Sequence, residues 1–342
     1  MQNRIQMLDC TLRDGCYIVR GNFGAGAIRG LIFMLQAAGA DLIECGWLKA
    51  QPYTEGSAFF RYPSDLEQYL TAKDPGRTYL AMIDMYRYPI DELPPCDGKS
   101  IDAIRVTFPE NRLDQGMSVG KKVSERGYQL FFQAANTVSY SDESLKRLAE
   151  AVNASDAVSL GVVNTYGSMY AEDLERIVPI LDQYLDPRIR LGFHSHNNLQ
   201  LAFALSARFL DLLSGTKRQI FVDASLCGMG RGAGNTCTEL LAAYLNSRYG
   251  GCYDLDVILD AIDTYIGYFA EHFSWGYSPL SFVAGLNGSH VSNLMNLRAN
   301  HQTGAKQMHR IIRSLPQEDR WRYCPDLLES RFQADCAEQE GL

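Results

Sequence analysis

No apolar run in this chain of 342 residues reaches the roughly 18 consecutive residues that a membrane-spanning helix needs. Concentrated positive charge is missing as well. The chain has 32 lysines and arginines against 40 aspartates and glutamates, a formal net charge of −8, and no basic stripe stands out. The expected partners therefore include neither nucleic acid nor a membrane. The opening residues, Met1-Gln2-Asn3-Arg4-Ile5, are too polar for a secretory leader. The nine cysteines are an odd set without a CxxC pair. That argues against a disulfide framework and for a reduced, cytoplasmic compartment. Cys10, Cys45 and Cys227 lie in or beside strand-like runs and read as small buried side chains rather than reactive thiols. No GxGxxG follows the first strand-like run, and no GK[ST] closes the glycine-rich segment 228–235, so neither a dinucleotide fold nor a Walker-type loop is indicated.

What is present is a regular alternation. Strand-like runs occur at residues 5–9, 41–45, 78–83, 103–108, 128–132, 157–160, 189–194 and 219–224. Their typical spacing of about thirty residues is that of a βα unit. Amphipathic stretches lie between them. The one at 141–152 opens on Ser141 as N-cap with Asp142 and Glu143 in its first turn. Strand then helix, eight times, predicts a (β/α)8 TIM barrel over residues 1–250, with a doubly wound open sheet as the alternative. From residue 251 the pattern turns helical. Residues 251–342 read as a helical C-terminal extension packed on the barrel, with residues 337–342 loose.

Three short segments, each close behind a strand-like run, carry the chemistry. They are Thr11-Leu12-Arg13-Asp14-Gly15, then His194-Ser195-His196-Asn197-Asn198, then Gly228-Met229-Gly230-Arg231-Gly232-Ala233-Gly234-Asn235. His194 and His196 are two residues apart, so on extended backbone both rings point to one side. With Asp14 they offer two imidazoles and a carboxylate, a mixed N/O set that suits Mn²⁺, Mg²⁺, Co²⁺ or Zn²⁺ without demanding zinc. In a barrel the active site lies at the C-terminal ends of the strands, and all three segments fall there. A metal at this rim would accept the keto and carboxylate oxygens of a 2-oxo acid and make an enolate accessible. Arg13 is placed to stabilise the enolate oxygen, or to pair with Glu44, or both. The glycine segment reads as a close backbone approach to the metal site, with Asn235 as a further oxygen ligand or a nearby support.

The combination of TLRDG, HSHNN and GMGRGAGN resembles the HMG-CoA lyase-like superfamily of metal-dependent TIM-barrel lyases (DRE-TIM metallolyases), and within it the 4-hydroxy-2-oxovalerate aldolase branch. The resemblance covers about residues 4 to 250 and continues weakly beyond. It implies Asp14, His194 and His196 as metal ligands, Asn235 as a ligand in the lyase branch, Arg13 as the enolate-stabilising cation and Glu44 as the acid beside it. It implies a divalent metal, Mn²⁺ first, a small-molecule 2-oxo acid and aldehyde as substrates, and an acylating aldehyde dehydrogenase or a second copy of the chain as partner. Two positions depart from the pattern. The branch has a histidine base three residues after the metal aspartate, where this chain has Tyr17, and Asn164 replaces an acid. A phenol is a poor base at neutral pH, so Tyr17 is expected to donate a hydrogen bond. Tyr277 is placed to play the part of the branch's C-terminal tyrosine, with packing as its alternative role, and His290 is a candidate for the missing base. The expected function is carbon–carbon cleavage or formation through a metal-stabilised pyruvate enolate. The alternatives are an acyl-CoA Claisen-type enzyme and a catalytically reduced barrel serving a dehydrogenase complex.

Overall fold

The structure, a computed structural model, describes residues 5–340. Eight parallel strands form its centre: β1 (Ile5–Asp9), β2 (Leu42–Leu48), β3 (Thr78–Asp84), β4 (Ala103–Pro109), β5 (Gln129–Ala135), β6 (Ala157–Asn164), β7 (Arg190–Ser195) and β8 (Ile220–Ala224). Each pairs with its neighbour in sequence, and β1 pairs with both β2 and β8, so the sheet closes into a TIM barrel. A two-residue strand, Phe59–Phe60, adds to the end of β2. Closure removes every edge of the central sheet that would otherwise expose unpaired backbone.

The strand–helix alternation is less regular than the sequence pattern predicts. β1 and β4 through β8 are each followed by an α-helix, but β2 and β3 are followed only by the 3₁₀ segments Pro63–Tyr69 and Ile90–Glu92. The reason is local. Pro52, Pro63 and Pro75 interrupt the first of these crossovers, and Pro89, Pro94 and Pro95 the second. Pro63 opens its 3₁₀ segment at the first position, where no donor is needed, and the prolines around the two segments lack the backbone donor a longer helix would use. Elsewhere the N-cap reading holds: Ser141 accepts the backbone N–H of Ser144 at the start of helix Asp142–Asn153.

Period-2 alternation along the strands builds the barrel interior in layers. Leu8, Leu42, Leu80, Ala103, Phe131 and Phe221 form an apolar layer shielded from solvent. A Cβ on Gly192 would lie 2.0 Å from the Phe221 ring, so the glycine is what admits that ring. Two residues further along their strands, towards the C-terminal ends, the inward positions become Glu44, Arg105 and Asp223, all buried. A charged layer therefore sits directly on the apolar one.

The C-terminal helices divide by what they pack on. Ile258, Ala261, Ile266 and Phe269 of the helical stretch from Leu255 to His272 join the main core around the barrel. Helices Pro279–Leu286, Val291–His301, Ala305–Ser314 and Pro325–Glu340 enclose a separate cluster that includes Val283, Leu294, Ile311 and Leu328. The last helix continues through Glu340, past the point where the sequence reads as loose, and residues 341–342 lie outside the described residues. Among the described residues no helix is long and apolar enough to cross a membrane.

Candidate active site

Asp14 ends a single helical turn, Thr11–Asp14, that follows β1, and His194 lies in β7 with His196 just beyond it. The two imidazole rings meet edge to face, centroids 4.9 Å apart, as their spacing on extended backbone requires. Potential ligand atoms of Asp14, His194 and His196 all lie within 4.8 Å of one another. Oδ2 of Asp14 and Nε2 of His194 are buried with no hydrogen-bond partner. Oδ1 of Asn235 is in the same condition, because Nδ2 of that amide is the atom that meets Ser225 Oγ at 3.3 Å and the Met229 carbonyl at 3.4 Å. Buried polar atoms are rarely left unpaired, since each costs about 1–3 kcal/mol. Unpaired oxygen and nitrogen acceptors gathered in one place are what a divalent cation would satisfy.

The glycine segment closes over this group. A Cβ on Gly230 would come within 2.8 Å of Asp14 Oδ2 and 2.5 Å of Asn235 Nδ2. Asn235 pairs with His196 through an isolated antiparallel bridge. Asn198 clamps the two segments: its Oδ1 accepts the N–H of Ala233 at 2.9 Å, and its Nδ2 donates to the Tyr166 carbonyl at 2.9 Å. Nδ1 of His196 lies 3.4 Å from the Gly234 carbonyl and 3.8 Å from Asp14 Oδ2.

Behind the cluster runs a chain of buried charges. Arg13 donates from Nη1 to Asp14 Oδ1 and from Nε to Glu44 Oε2, each at 2.8 Å. Glu44 Oε2 also accepts from Arg105 Nη1 at 3.0 Å, and Arg105 Nη2 reaches Asp223 Oδ2 at 2.7 Å. That oxygen accepts Nδ1–H of His194 at 3.0 Å. The carboxylate thereby fixes the His194 tautomer and leaves Nε2 as the free lone pair. Burial opposes the charged forms of Asp14 and Asp223. Arg13 and the imidazoles outweigh it at Asp14, and Arg105 and His194 at Asp223, so both carboxyls stay below the usual range. Burial lowers the pKa of His196 to about 3, against the opposing pull of Asp14. The ring is neutral and able to ligate. The other grouping, Cys10 with His194 and Asp223, is not a ligand set. Its Asp223 Oδ2 already accepts from Arg105 and His194, and the Cys10 thiol donates to the Ala224 carbonyl.

The remaining expected residues are scattered. Tyr17 is 37% exposed. Its ring meets Trp47 edge-on at 6.0 Å and carries the Arg231 guanidinium 3.7 Å from its centroid. Desolvation raises its pKa further, so it is a donor and not a base. His290 caps helix Val291–His301 by accepting the Ser292 N–H, and its Nε2 lies 3.0 Å from Arg231 Nη1. Burial drives its pKa down to about 3, which makes it a weak base. Asn164 is a loop brace: Oδ1 accepts from Ser168 and Met169, and Nδ2 donates to Ser195. Tyr277 is 60% exposed and takes no part in the hydrogen-bond chain from Asp14 to His194. Sequence reading passed over Arg105 and assigned no role to Asp223. Their signal was a lone charge at an inward position of an apolar strand, which a fold tolerates only when it is paired.

Residues 109–265 match the family model of HMGL-like proteins. The chain is 28% identical over 313 residues to oxaloacetate decarboxylase of Mycobacterium tuberculosis, covering 90% of this chain and 89% of that one. It is 28% identical over 258 residues to 4-hydroxy-2-oxovalerate aldolase of Roseiflexus castenholzii, covering 75% and 74%. In fold it matches the carboxyl transferase domain of Rhizobium etli pyruvate carboxylase with a TM-score of 0.75 at 13% identity, over 98% of this chain and 62% of that one. A closed parallel barrel with an acid–imidazole cluster at its rim thus accompanies an HMGL-like match over residues 109–265 and likeness to a decarboxylase and to aldolases, which together mark the chain as an enzyme of the carbon–carbon lyase kind.

Proposed function

We propose that the enzyme breaks or forms a carbon–carbon bond at C3 of a 2-oxo acid, with pyruvate as product or donor. The observation that carries this reading is the meeting of the unpaired atoms Asp14 Oδ2 and His194 Nε2, in one cluster with His196, beside a fixed arginine. Asp14, His194, His196 and Asn235 are the residues that would hold a divalent cation, Mn²⁺ being the first to test. When bound, such a cation supplies Lewis-acid polarisation of the substrate carbonyl. Arg13 supplies the second positive charge. Its Nε and Nη1 are tied to Glu44 and Asp14, so the guanidinium does not have to reorganise as negative charge develops on the keto oxygen. Glu44 and Arg105 hold it in place, and Tyr17 offers a phenolic proton at the mouth. Exchange of the methyl protons of pyruvate in deuterated water with Mn²⁺ tests the reading. Exchange is expected, and its absence would remove enolate chemistry from this site.

One observation favours decarboxylation over aldehyde release as the cleavage. A retro-aldol step gives the electrons of the C3–C4 bond to the enolate and requires a base to take the 4-hydroxyl proton. Loss of a carboxylate as CO₂ gives the same enolate with no proton to remove. Tyr17 is held protonated and His290 is a weak base, so neither suits the first course at neutral pH. Faster CO₂ release from oxaloacetate than acetaldehyde release from 4-hydroxy-2-oxovalerate is the expected result. The reverse order would restore the aldolase reading.

A further inference from the structure

Charge at the mouth of the site is one-sided. Arg231 leaves the glycine segment, lies over Tyr17 and touches His290. Trp47, fixed by its Nε1 hydrogen bond to the Arg13 carbonyl, stands between three cations. Arg13 lies 5.8 Å from its ring centroid and Lys49 lies 5.4 Å away, while Tyr17 links it edge-on to Arg231. One aromatic layer therefore separates the buried Arg13 from the half-exposed Arg231. Nearby Arg87 has its own acid, Asp84, at 3.4 Å. Among the described residues neither Arg231 nor Lys49 has a carboxylate in contact. Stacking on tyrosine, tryptophan or phenylalanine holds a cation without neutralising it, and His290 is neutral. Arg231 thus has no carboxylate in contact, and Lys49 shares Asp84 with Arg87 only at longer range; in a chain of formal net charge −8 this marks where an anion belongs. An arginine fork fits a carboxylate in particular.

We propose that Arg231, with Lys49 beside it, binds a second anionic group of the substrate, so that the enzyme selects 2-oxo acids bearing a distal carboxylate over monocarboxylic ones. This rests on the 2-oxo acid reading above and holds for either cleavage. Matched pairs test it. 2-Oxopentanoate and 2-oxoglutarate differ only in the terminal carboxylate, as do 2-oxohexanoate and 2-oxoadipate, and neither diacid can lose CO₂ to give pyruvate. Affinities for the first pair are measured by calorimetry on the Mn²⁺-loaded protein, and those for the second by competition in the pyruvate exchange assay. The wild type should prefer the diacid in at least one pair by about tenfold or more, the size of a charge-assisted contact. Arg231→Gln should bring that ratio close to one, and Arg231→Lys should retain part of it. Equal affinities within both pairs in the wild type would overturn the proposal without recourse to any variant, as would a preference that survives in Arg231→Gln. Pyruvate exchange with a ratio of one removes the role of Arg231 alone. No exchange and no binding of either acid removes the 2-oxo acid reading and this proposal with it.

Discussion

Asp223 holds Arg105 and His194 on one oxygen: Oδ2 accepts Nη2 of Arg105 at 2.7 Å and Nδ1 of His194 at 3.0 Å. This contact completes an alternating chain, Asp14–Arg13–Glu44–Arg105–Asp223–His194, whose two ends return to the same cluster. Arg13, Glu44 and Arg105 are each buried between two opposite charges. Such a network contributes less to net stability than to orientation, because desolvation offsets much of the attraction. What it secures is the position of Arg13 and the tautomer of His194.

Breaking the chain should separate these roles. Asp223→Asn can turn an amide N–H towards His194, disturb its tautomer and weaken metal binding by about 10- to 100-fold. Arg105→Met leaves Asp223 buried without its arginine and Glu44 with Arg13 alone, at a cost of about 3–5 kcal/mol. Metal titration reads the first change and urea unfolding the second. Wild-type values in both would reduce the chain to a coincidence of packing.

His194→Ala and His196→Ala should each lose metal while keeping the barrel, because both rings sit at the rim above the apolar layer. Metal content by mass spectrometry, with circular dichroism as the check on folding, decides this. Full metal occupancy in both variants would assign the site elsewhere.

Arg13→Lys should keep metal and lose most turnover. Lysine keeps the charge but lacks the planar fork that reaches Asp14 and Glu44 together. Loss of a fixed oxyanion contact corresponds to roughly 3–4 kcal/mol, or about a hundred- to a thousandfold in rate. Turnover near wild type would exclude Arg13 from the chemistry.

Tyr17→Phe should lower activity moderately and leave pyruvate proton exchange intact, since the phenol is held in its protonated form. If the metal stays bound and exchange disappears, Tyr17 carries the proton itself.

Asp9 gives the metal-free protein a pH-dependent stability. Oδ1 accepts the Thr11 N–H at 2.9 Å and Oδ2 accepts the Thr238 hydroxyl at 2.6 Å, yet burial pushes its pKa up to about 6 from an ordinary 3.8. The folded state therefore binds this proton more tightly than the unfolded state. The linked stability is present in full below the unfolded pKa and is lost as pH rises through about 6, on the order of 3 kcal/mol in all. Asp9→Asn should flatten that part of the urea-unfolding profile. An unchanged slope would show that another group is responsible.

The sequence by itself determined what is local or periodic. Apolar runs at a βα spacing specified eight strands and a parallel barrel. The two-residue spacing of His194 and His196 put both rings on one side. The position of each motif behind a strand put the polar residues at one rim. Tertiary structure alone decided which inward residues meet. Arg105 and Asp223 are 118 positions apart, and their contact depends on how the closed barrel brings β4 and β8 to face each other across its interior. The prolines that replace two crossover helices with 3₁₀ turns were visible, but their effect was masked by the regular strand spacing. The stacking of Arg231 on Tyr17 and the exposure of Tyr277 depend on loop paths over the rim, where neither period 2 nor period 3.6 constrains a side chain.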